Sequence, residues 1–378
     1  MSEKIKILHF IEYCLTGTMT FVNDLIERNE VDNIVFTQIK DESRFKFDKC
    51  TVIESRVGFK RLMYHLEASW RFINAMLPDT VNKVEKILAK EEIKTIVAHF
   101  GPQACYAIRI KERNPSIKFI SIFHGFDVYQ LRNYYFYRKR LMKVFEYSDI
   151  IIAISKDIKN VLVSLGCDEK KIEVLYIGVE KQKINQRTKC GNLSRYKEKT
   201  FIHYSGYTEK KGIDTIIEAL RILDKKKIYA KFIFAGEGGG KEKIENLRNE
   251  LRYIKIDIRG YLNKECRNIL LEGAYMMLHP SETAKNGDKE GMPVAIKESM
   301  MFGVPVISTF HSAIPEIVSE ENGFLVEEKN SQALAKAINN AINLDLEEYR
   351  LKSIRSRRIA RSFHEKEKYI IKYLDLVS

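Results

Sequence analysis

Long apolar runs are missing from this chain of 378 residues. A bilayer-spanning helix needs roughly 18 or more consecutive apolar residues, and no stretch approaches that length. The opening MSEKIKILHF passes straight into a strand-like pattern without a cleavable apolar segment, so the sequence predicts a protein made and kept in the cytoplasm. Its six cysteines, Cys14, Cys50, Cys105, Cys167, Cys190 and Cys266, include no C-x-x-C pair. That scatter excludes a disulfide frame and the common zinc motifs and leaves reduced packing thiols. No D-x-D follows a strand and no H-E-x-x-H occurs, so neither a catalytic metal nor any other cofactor is expected. No short repeat of fixed period occurs, which excludes solenoids. Acidic residues are in deficit: Lys plus Arg number 64 against 51 Asp plus Glu, a net charge of +13. Such a surface attracts anions, whether nucleic acid, acidic headgroups or phosphorylated small molecules. The basic residues are spread along the whole chain, with no zinc-finger spacing or RNA-binding aromatic motif, so nucleic acid is not an expected partner.

What is present is alternation. KIKILHF, TIVAHF, KFISIFH, SDIIIAIS and IEVLYIGV read as strands, with TFVNDLIER, QACYAIRIK and KDIKNVLVSLG as helices between them. Strands that are β-branched and hardly alternate predict parallel sheets covered on both faces. After Val179 the text turns polar, EKQKINQRTKCGNLSRYKEKT, with no apolar period. A second series follows: TFIHYSG, GIDTIIEALRIL, AKFIFAG, KEKIENLRNEL, YMMLHPS, VPVIST and SQALAKAINNAI. The fold class predicted is therefore α/β, with two Rossmann-like doubly wound domains over 1–180 and 201–361, a linker over 181–200, and an interdomain cleft. Ligands bind such sheets beyond the carboxyl ends of the strands. Four loops lie there: HGFD (124–127), SGYTEKKG (205–212), GEGGG (236–240) and HPSETAKNGDKEG (279–291).

One stretch, EGMPVAIKESMMFGVPVIST from Glu290, sets two glutamates with seven residues between them around a helix start. Pro293 is favoured in a first turn, so Glu290 precedes the helix and Glu298 lies within it. At about 1.5 Å per residue the carboxylates are about 10 Å apart, too far to share a proton or a metal ion. Between them the backbone N–H groups of Gly291 and its neighbours favour an anion. A ligand with a phosphate in the middle and hydroxyls at both ends fits, although an acidic pair at a helix start is often only solvated surface. GEGGG opens like a dinucleotide fingerprint, with Asp257 downstream, but Lys241 stands at the third glycine position. It reads as a turn near a nucleotide, not an NAD site. His124 alone reads as a strand-end histidine bonded to backbone.

Taken together, LHPSETAKNGDKEGMPVAIKESMMFGVPVISTFHSAIPEIVSEENGFLV resembles the C-terminal half of family 4 retaining glycosyltransferases of the GT-B type. The likeness is to the branch that assembles bacterial exopolysaccharides such as colanic acid and amylovoran. AHFG (98–101), FHGFDV (123–128), IAIS (152–155), GVE (178–180) and EKKGID (209–214) add to it. The resemblance implies metal-independent transfer of a sugar from a UDP- or GDP-linked donor to a glycan, including a saccharide carried on undecaprenyl diphosphate. It implies that Glu290 binds hydroxyls of the donor sugar, Glu298 those of the ribose, and Lys211 the leaving diphosphate. Gly291, Met292 and Pro293 would face the diphosphate, with Ser205, Gly206, Gly236 and Glu282 also on the donor side. His124 would approach the reaction centre, Gly125 allowing close backbone approach, with Gly17, His99 and Asp127 on the acceptor side. The family usually carries an arginine a few residues before the lysine; here the stretch is Tyr204-Ser205-Gly206-Tyr207, so either Lys210 or another residue substitutes or the diphosphate is held less tightly. The tail SFHEKEKYIIKYLDLV (362–377) resembles the helix that crosses back onto the N-terminal domain in this fold.

A non-catalytic nucleotide-sugar-binding partner of an assembly complex is the alternative reading. The missing arginine favours it, and the retained glutamates, His124 and Lys211 oppose it. Two segments are candidates for an anionic membrane surface: FKRLMYHLEASWRFINAML (59–77), with Phe59, Leu62, Met63, Leu66, Ile73 and Leu77 at helical spacing, and RNYYFYRKRLMKVF (132–145).

Overall fold

A computed structural model describes residues 5–13, 20–26, 31–39, 51–54, 76, 78–181 and 193–378. The candidate membrane segment 59–77 and Gly17 lie outside the described residues, Met76 excepted. The chain forms two compact units, Met1–Ile177 with Tyr369–Ser378, and Gly178–Lys368.

The first unit holds a sheet of β1 (Ile5–Tyr13), β2 (Val31–Ile39), β3 (Thr51–Glu54), β4 (Thr95–His99), β5 (Lys118–Phe123), β6 (Ile150–Ala153) and β7 (Ile172–Val174). Their order is β3-β2-β1-β4-β5-β6-β7, and every pairing is parallel. Leu8 of β1 pairs with Ile34 on one side and Ile96 on the other, so the order reverses at the first strand. β4 is buried at every position, which is why it reads as an unbroken apolar run. The crossover helix Pro78–Lys90 buries Val81, Val84 and Leu88, spaced three and four apart on one face. β2 and β3 escape the sequence pattern. Asp32 and Asn33 interrupt β2, yet Asn33 is buried because its side chain is paired with His9 and with the Ile26 carbonyl.

The second unit holds β8 (Thr200–Tyr204), β9 (Ala230–Ala235), β10 (Ile254–Arg259), β11 (Met276–His279), β12 (Val306–Thr309) and β13 (Gly323–Val326). The order β10-β9-β8-β11-β12-β13 is again parallel throughout and again reverses at the first strand, between β8 and β11. Within the stretch expected as linker, Leu193–Glu198 forms a helix. Tyr196 on it packs its ring 5.9 Å from that of Tyr349 and donates from its hydroxyl to Leu344 O at 3.0 Å.

The C-terminal helix Lys366–Val377 places Tyr369, Ile370, Tyr373 and Val377 in the core of the first unit. There Thr95 Oγ1 donates to Val377 O at 3.3 Å. Truncating Tyr373 should therefore open a cavity under the first sheet, and Tyr373→Ala is expected to cost roughly 3–5 kcal/mol in denaturant unfolding. The Tyr373 hydroxyl is buried without a hydrogen-bond partner among the described residues, so Tyr373→Phe is expected to be neutral or stabilising in the same experiment.

Candidate active site

The reversal between β8 and β11 brings the loops that follow those two strands side by side. After β8 the chain runs through Ser205 and Gly206 into a tight turn, Glu209–Lys211, that ends on Gly212 at φ 67°. A Cβ on Gly212 would stand 2.0 Å from Pro280 O, and one on Gly236 1.9 Å from Ser205 O. Only glycine allows these backbones to touch, so the GEGGG turn serves close packing of strand-end loops. Glu282 N donates to Lys210 O at 3.0 Å and completes the join.

That join sets two lysines against the acidic loop. Lys211 Nζ lies 3.0 Å from Glu290 Oε1, while Lys210 Nζ lies 3.5 Å from the same oxygen and 2.9 Å from Asp288 Oδ2. Burial alone would raise the Glu290 carboxyl, but Lys211 and Lys210 outweigh it and hold Glu290 below the usual carboxylate range. Burial likewise works against the Lys210 ammonium, and Glu290 with Asp288 overcomes it and raises that group. Ser205 is held from below: His203 Nδ1 donates to Leu278 O at 2.9 Å, which leaves Nε2 to accept from Ser205 Oγ at 2.9 Å.

Glu298 lies on the helix Val294–Met301, and Pro293 is its N-cap, one residue outside the first turn where the sequence placed it. Met292 is buried beside it. Burial and then the charge of Glu180 push the Glu298 carboxyl up to about 8. Arg267 Nη1, 3.2 Å from Glu298 Oε1, acts in the opposite sense. Glu282 is turned elsewhere: Oε2 accepts from Thr215 Oγ1 at 2.8 Å, and the side chain lines a cavity of about 610 Å³ with Tyr207, Thr208, Lys285 and Lys329. Lys211, Ser205, Gly206, Gly236, Glu290 and Gly291 thus sit on adjoining loops, whereas the Glu282 carboxylate is bonded to Thr215.

In the first unit the corresponding reversal, between β1 and β4, gathers histidines. His124 follows β5 and packs its ring 4.3 Å from Phe100 and 4.9 Å from Phe21. Neither of its ring nitrogens has a hydrogen-bond partner among the described residues, and burial lowers the ring to about 3, so it is neutral. The strand-end reading, with the ring bonded to backbone, does not hold. His99 Nε2 lies 3.1 Å from His9 Nδ1, and His9 Nε2 lies 2.9 Å from Asn33 Oδ1. Asn33 Nδ2 donates to Ile26 O, which leaves Oδ1 as the acceptor; His9 therefore carries its proton on Nε2 and His99 on Nε2. His9 and Asn33 were invisible in the sequence because nothing local marks a pairing across strands. Asp127 fixes the loop: its carboxylate accepts from Gly101 N at 2.9 Å, Gly125 N at 2.8 Å and His124 N at 3.1 Å.

The fold and both loop clusters define the class: an α/β protein of two Rossmann-like units of the GT-B type, with lysine–carboxylate pairs at the second unit's strand ends and neutral imidazoles at the first's. The second half, residues 185–358, matches the profile for glycosyl transferases group 1, and residues 28–183 match glycosyltransferase family 4. The chain belongs to this glycosyltransferase family. It is 31% identical over 255 residues to WcaL, the proposed colanic acid biosynthesis glycosyltransferase of Escherichia coli (strain K12), covering 67% of this chain and 62% of that one. It is 29% identical over 270 residues to AmsK, the amylovoran biosynthesis glycosyltransferase of Erwinia amylovora, covering 69% and 63%. The match thus spans somewhat less than two thirds of the length of these relatives. Among solved structures, Anabaena HepE in complex with UDP superposes with a TM-score of 0.73 at 18% identity, over 99% of each chain.

Asp127 offers a test of the loop it organises. Burial pushes its carboxyl from 3.8 up to about 6, against the three N–H groups that favour the ionised form. A folded value above the unfolded one means stability present at low pH and lost as pH rises, here between about 4 and about 6. Asp127→Asn is expected to flatten that slope. Its amide nitrogen must also face a backbone donor, so stability at pH 7 should fall by roughly 1–3 kcal/mol in urea unfolding.

Proposed function

We propose that this protein is a retaining glycosyltransferase that moves a sugar from a nucleoside diphosphate to a glycan acceptor in the assembly of a bacterial surface polysaccharide. The observation that carries the reading is the Lys211–Glu290 pair, 3.0 Å apart at the strand-order reversal of the second sheet. In that reading the Glu290 carboxylate, kept ionised by the lysines, accepts hydroxyls of the donor sugar. Lys211 neutralises the charge that grows on the diphosphate as the glycosidic bond breaks, which stabilises the transition state more than the bound donor. Lys210, 3.5 Å from Glu290, supplies the second cation. Glu298 accepts ribose hydroxyls, with Arg267 supporting its ionised form. Neutral His124 and His99 offer uncharged donors and acceptors to sugar hydroxyls. No metal is called for, since two lysines serve the leaving group.

The acceptor is a glycan, in one form a saccharide on a lipid diphosphate such as undecaprenyl diphosphate, and the setting is the inner face of the cell membrane. Among the described residues no helix is long and apolar enough to cross a membrane. Contact with an anionic leaflet would fall to the helix Tyr135–Tyr147, which exposes Tyr135, Phe136 and Met142 beside Lys139 and Lys143.

Nucleotide release from a panel of UDP- and GDP-sugars, with bacterial lipid extract as acceptor, tests the reading. Turnover on one donor is expected, abolished by Glu290→Ala and reduced on the order of 10²–10³-fold in kcat by Lys211→Ala. Donor binding without turnover on any acceptor would instead make the chain a non-catalytic partner, and no binding at all would exclude both.

A further inference from the structure

Glu290 is the residue on which both lysines converge, yet it ends a loop, and the lysines reach only its carboxylate. Its backbone is held separately. Glu290 N donates to His311 Nε2 at 3.1 Å. For Nε2 to accept, the ring must carry its proton on Nδ1, which donates to Glu328 Oε1 at 2.7 Å. The other oxygen, Glu328 Oε2, accepts from Thr283 N at 2.7 Å. One carboxylate therefore holds the start of the loop 283–290 directly and its end through the imidazole. The loop between is closed by Ala284 N donating to Asp288 O at 3.0 Å and Gly287 N to Ala284 O at 2.9 Å. His311 is itself enclosed at 0% exposure, with its own N–H donating to Thr309 O at 2.8 Å and its carbonyl accepting from Ile314 N at 3.0 Å.

We propose that His311 and Glu328 are a positioning dyad for Glu290, which holds the loop 283–290 while the imidazole is neutral and releases it when Nε2 takes a proton. The inference rests on the reading of Glu290 as the sugar-binding residue and adds its control by pH. Protonation takes one proton from solvent and turns the acceptor of the Glu290 N–H into a second donor, so the two N–H groups then oppose each other. The charged and titratable neighbours of the ring act in both senses. Burial is the largest influence and lowers its pKa; Glu328 and Glu290 raise it and Lys289 lowers it, while the neighbouring His279 is kept neutral by its own burial. The dyad is thus intact at neutral pH, and acid opens it.

The test uses the full chain and two independent readouts. Nitrogen-15 spectra of the histidine rings should show His311 protonated on Nδ1 alone at neutral pH. Amide exchange in the peptide 283–291 should be protected there and rise by about tenfold or more as the ring titrates. His311→Gln, whose amide offers one acceptor to Glu290 N and one donor to Glu328 and does not titrate, should keep that protection and lose its pH dependence. His311→Phe should lose protection at every pH. Glu328→Gln removes a charge that favours the imidazolium, so its acid transition should move to lower pH. With the nucleotide sugar found to turn over, kcat/KM should follow the same order, the Gln variant within about threefold of wild type at neutral pH and the Phe variant down by about tenfold or more. A ring protonated on Nε2, a Gln variant as unprotected as the Phe variant, or an acid transition unmoved by Glu328→Gln would overturn the dyad. If no donor turns over, the glycosyltransferase reading falls, while the ring and exchange measurements still decide the dyad. Should His311→Phe fail to fold, the wild-type tautomer and the Glu328→Gln shift decide it.

Discussion

A carboxylate withdrawn from water is held ionised only if charge or hydrogen bonds replace its hydration, and Glu290 is that case. Lys211 and Lys210 supply the charge, but they can reach it only because Gly212 packs against the Pro280 carbonyl and lets the turn after β8 lie on the loop after β11. The order reversal between those strands opens the space, the glycine allows the approach, and the ion pairs fill it. Each layer presupposes the one before. Removing one partner would leave the other as an uncompensated buried charge, which is costlier than the pair is stabilising. The acidic loop and the lysine turn are thus bound to one geometry, which in the proposed reaction is the geometry of sugar and diphosphate.

The two sheets use the same topological opportunity with opposite electrostatics. At the reversal in the second unit, lysines meet carboxylates. At the reversal in the first, burial strips charge from His9, His99 and His124, and the hydrogen bond from His9 to Asn33 sets the tautomers of His9 and His99. A site of neutral imidazoles discriminates by hydrogen-bond direction, because a ring with one protonated nitrogen offers one donor and one acceptor in fixed places. That suits hydroxyl groups. A site of paired ions suits a ligand that carries charge. Donor and acceptor chemistry in the proposed function divides along the same line.

The fold was readable where the physics is local. Unbroken β-branched runs gave β4, β5 and β6, since both faces of each are buried, and three- and four-residue spacing gave the helices that cover them. β2 was not picked out because Asn33 is polar yet buried, its amide paired with His9 and with the Ile26 carbonyl, and so breaks the apolar run. β10 failed for the opposite reason: IKIDIR sits at the edge of its sheet and keeps its lysine, aspartate and arginine toward water. Within the site, Glu290, Gly291 and Glu298 were readable because a helix start fixes their spacing. Asp288 with Lys210, His311 with Glu328 and Arg267 with Glu298 were not. Those partners are 17 to 78 residues apart, and their meeting depends on strand order and register, which no local pattern carries.

Glu298 shows what such long-range pairing does to chemistry. In the sequence it is the second glutamate of a spacing motif, set apart from the first only by its place within the helix. In the structure the two carboxyls are pushed apart: Glu290, between two lysines, is held below the usual range, whereas Glu298, beside Glu180 and with one arginine, is raised to about 8. A carboxylate in the first condition is ionised whether or not a ligand is bound. One in the second gains when hydroxyl groups donate to its ionised form, because those hydrogen bonds replace hydration that burial removed. In the proposed function, ribose hydroxyls and Arg267, 3.2 Å away, would both favour the ionised form of Glu298. In the proposed function the same pair of side chains would divide into a charge fixed by lysines at the sugar end and one set by Glu180 and Arg267 at the nucleoside end, a division that follows from the neighbours that the second sheet's strand order brings to each.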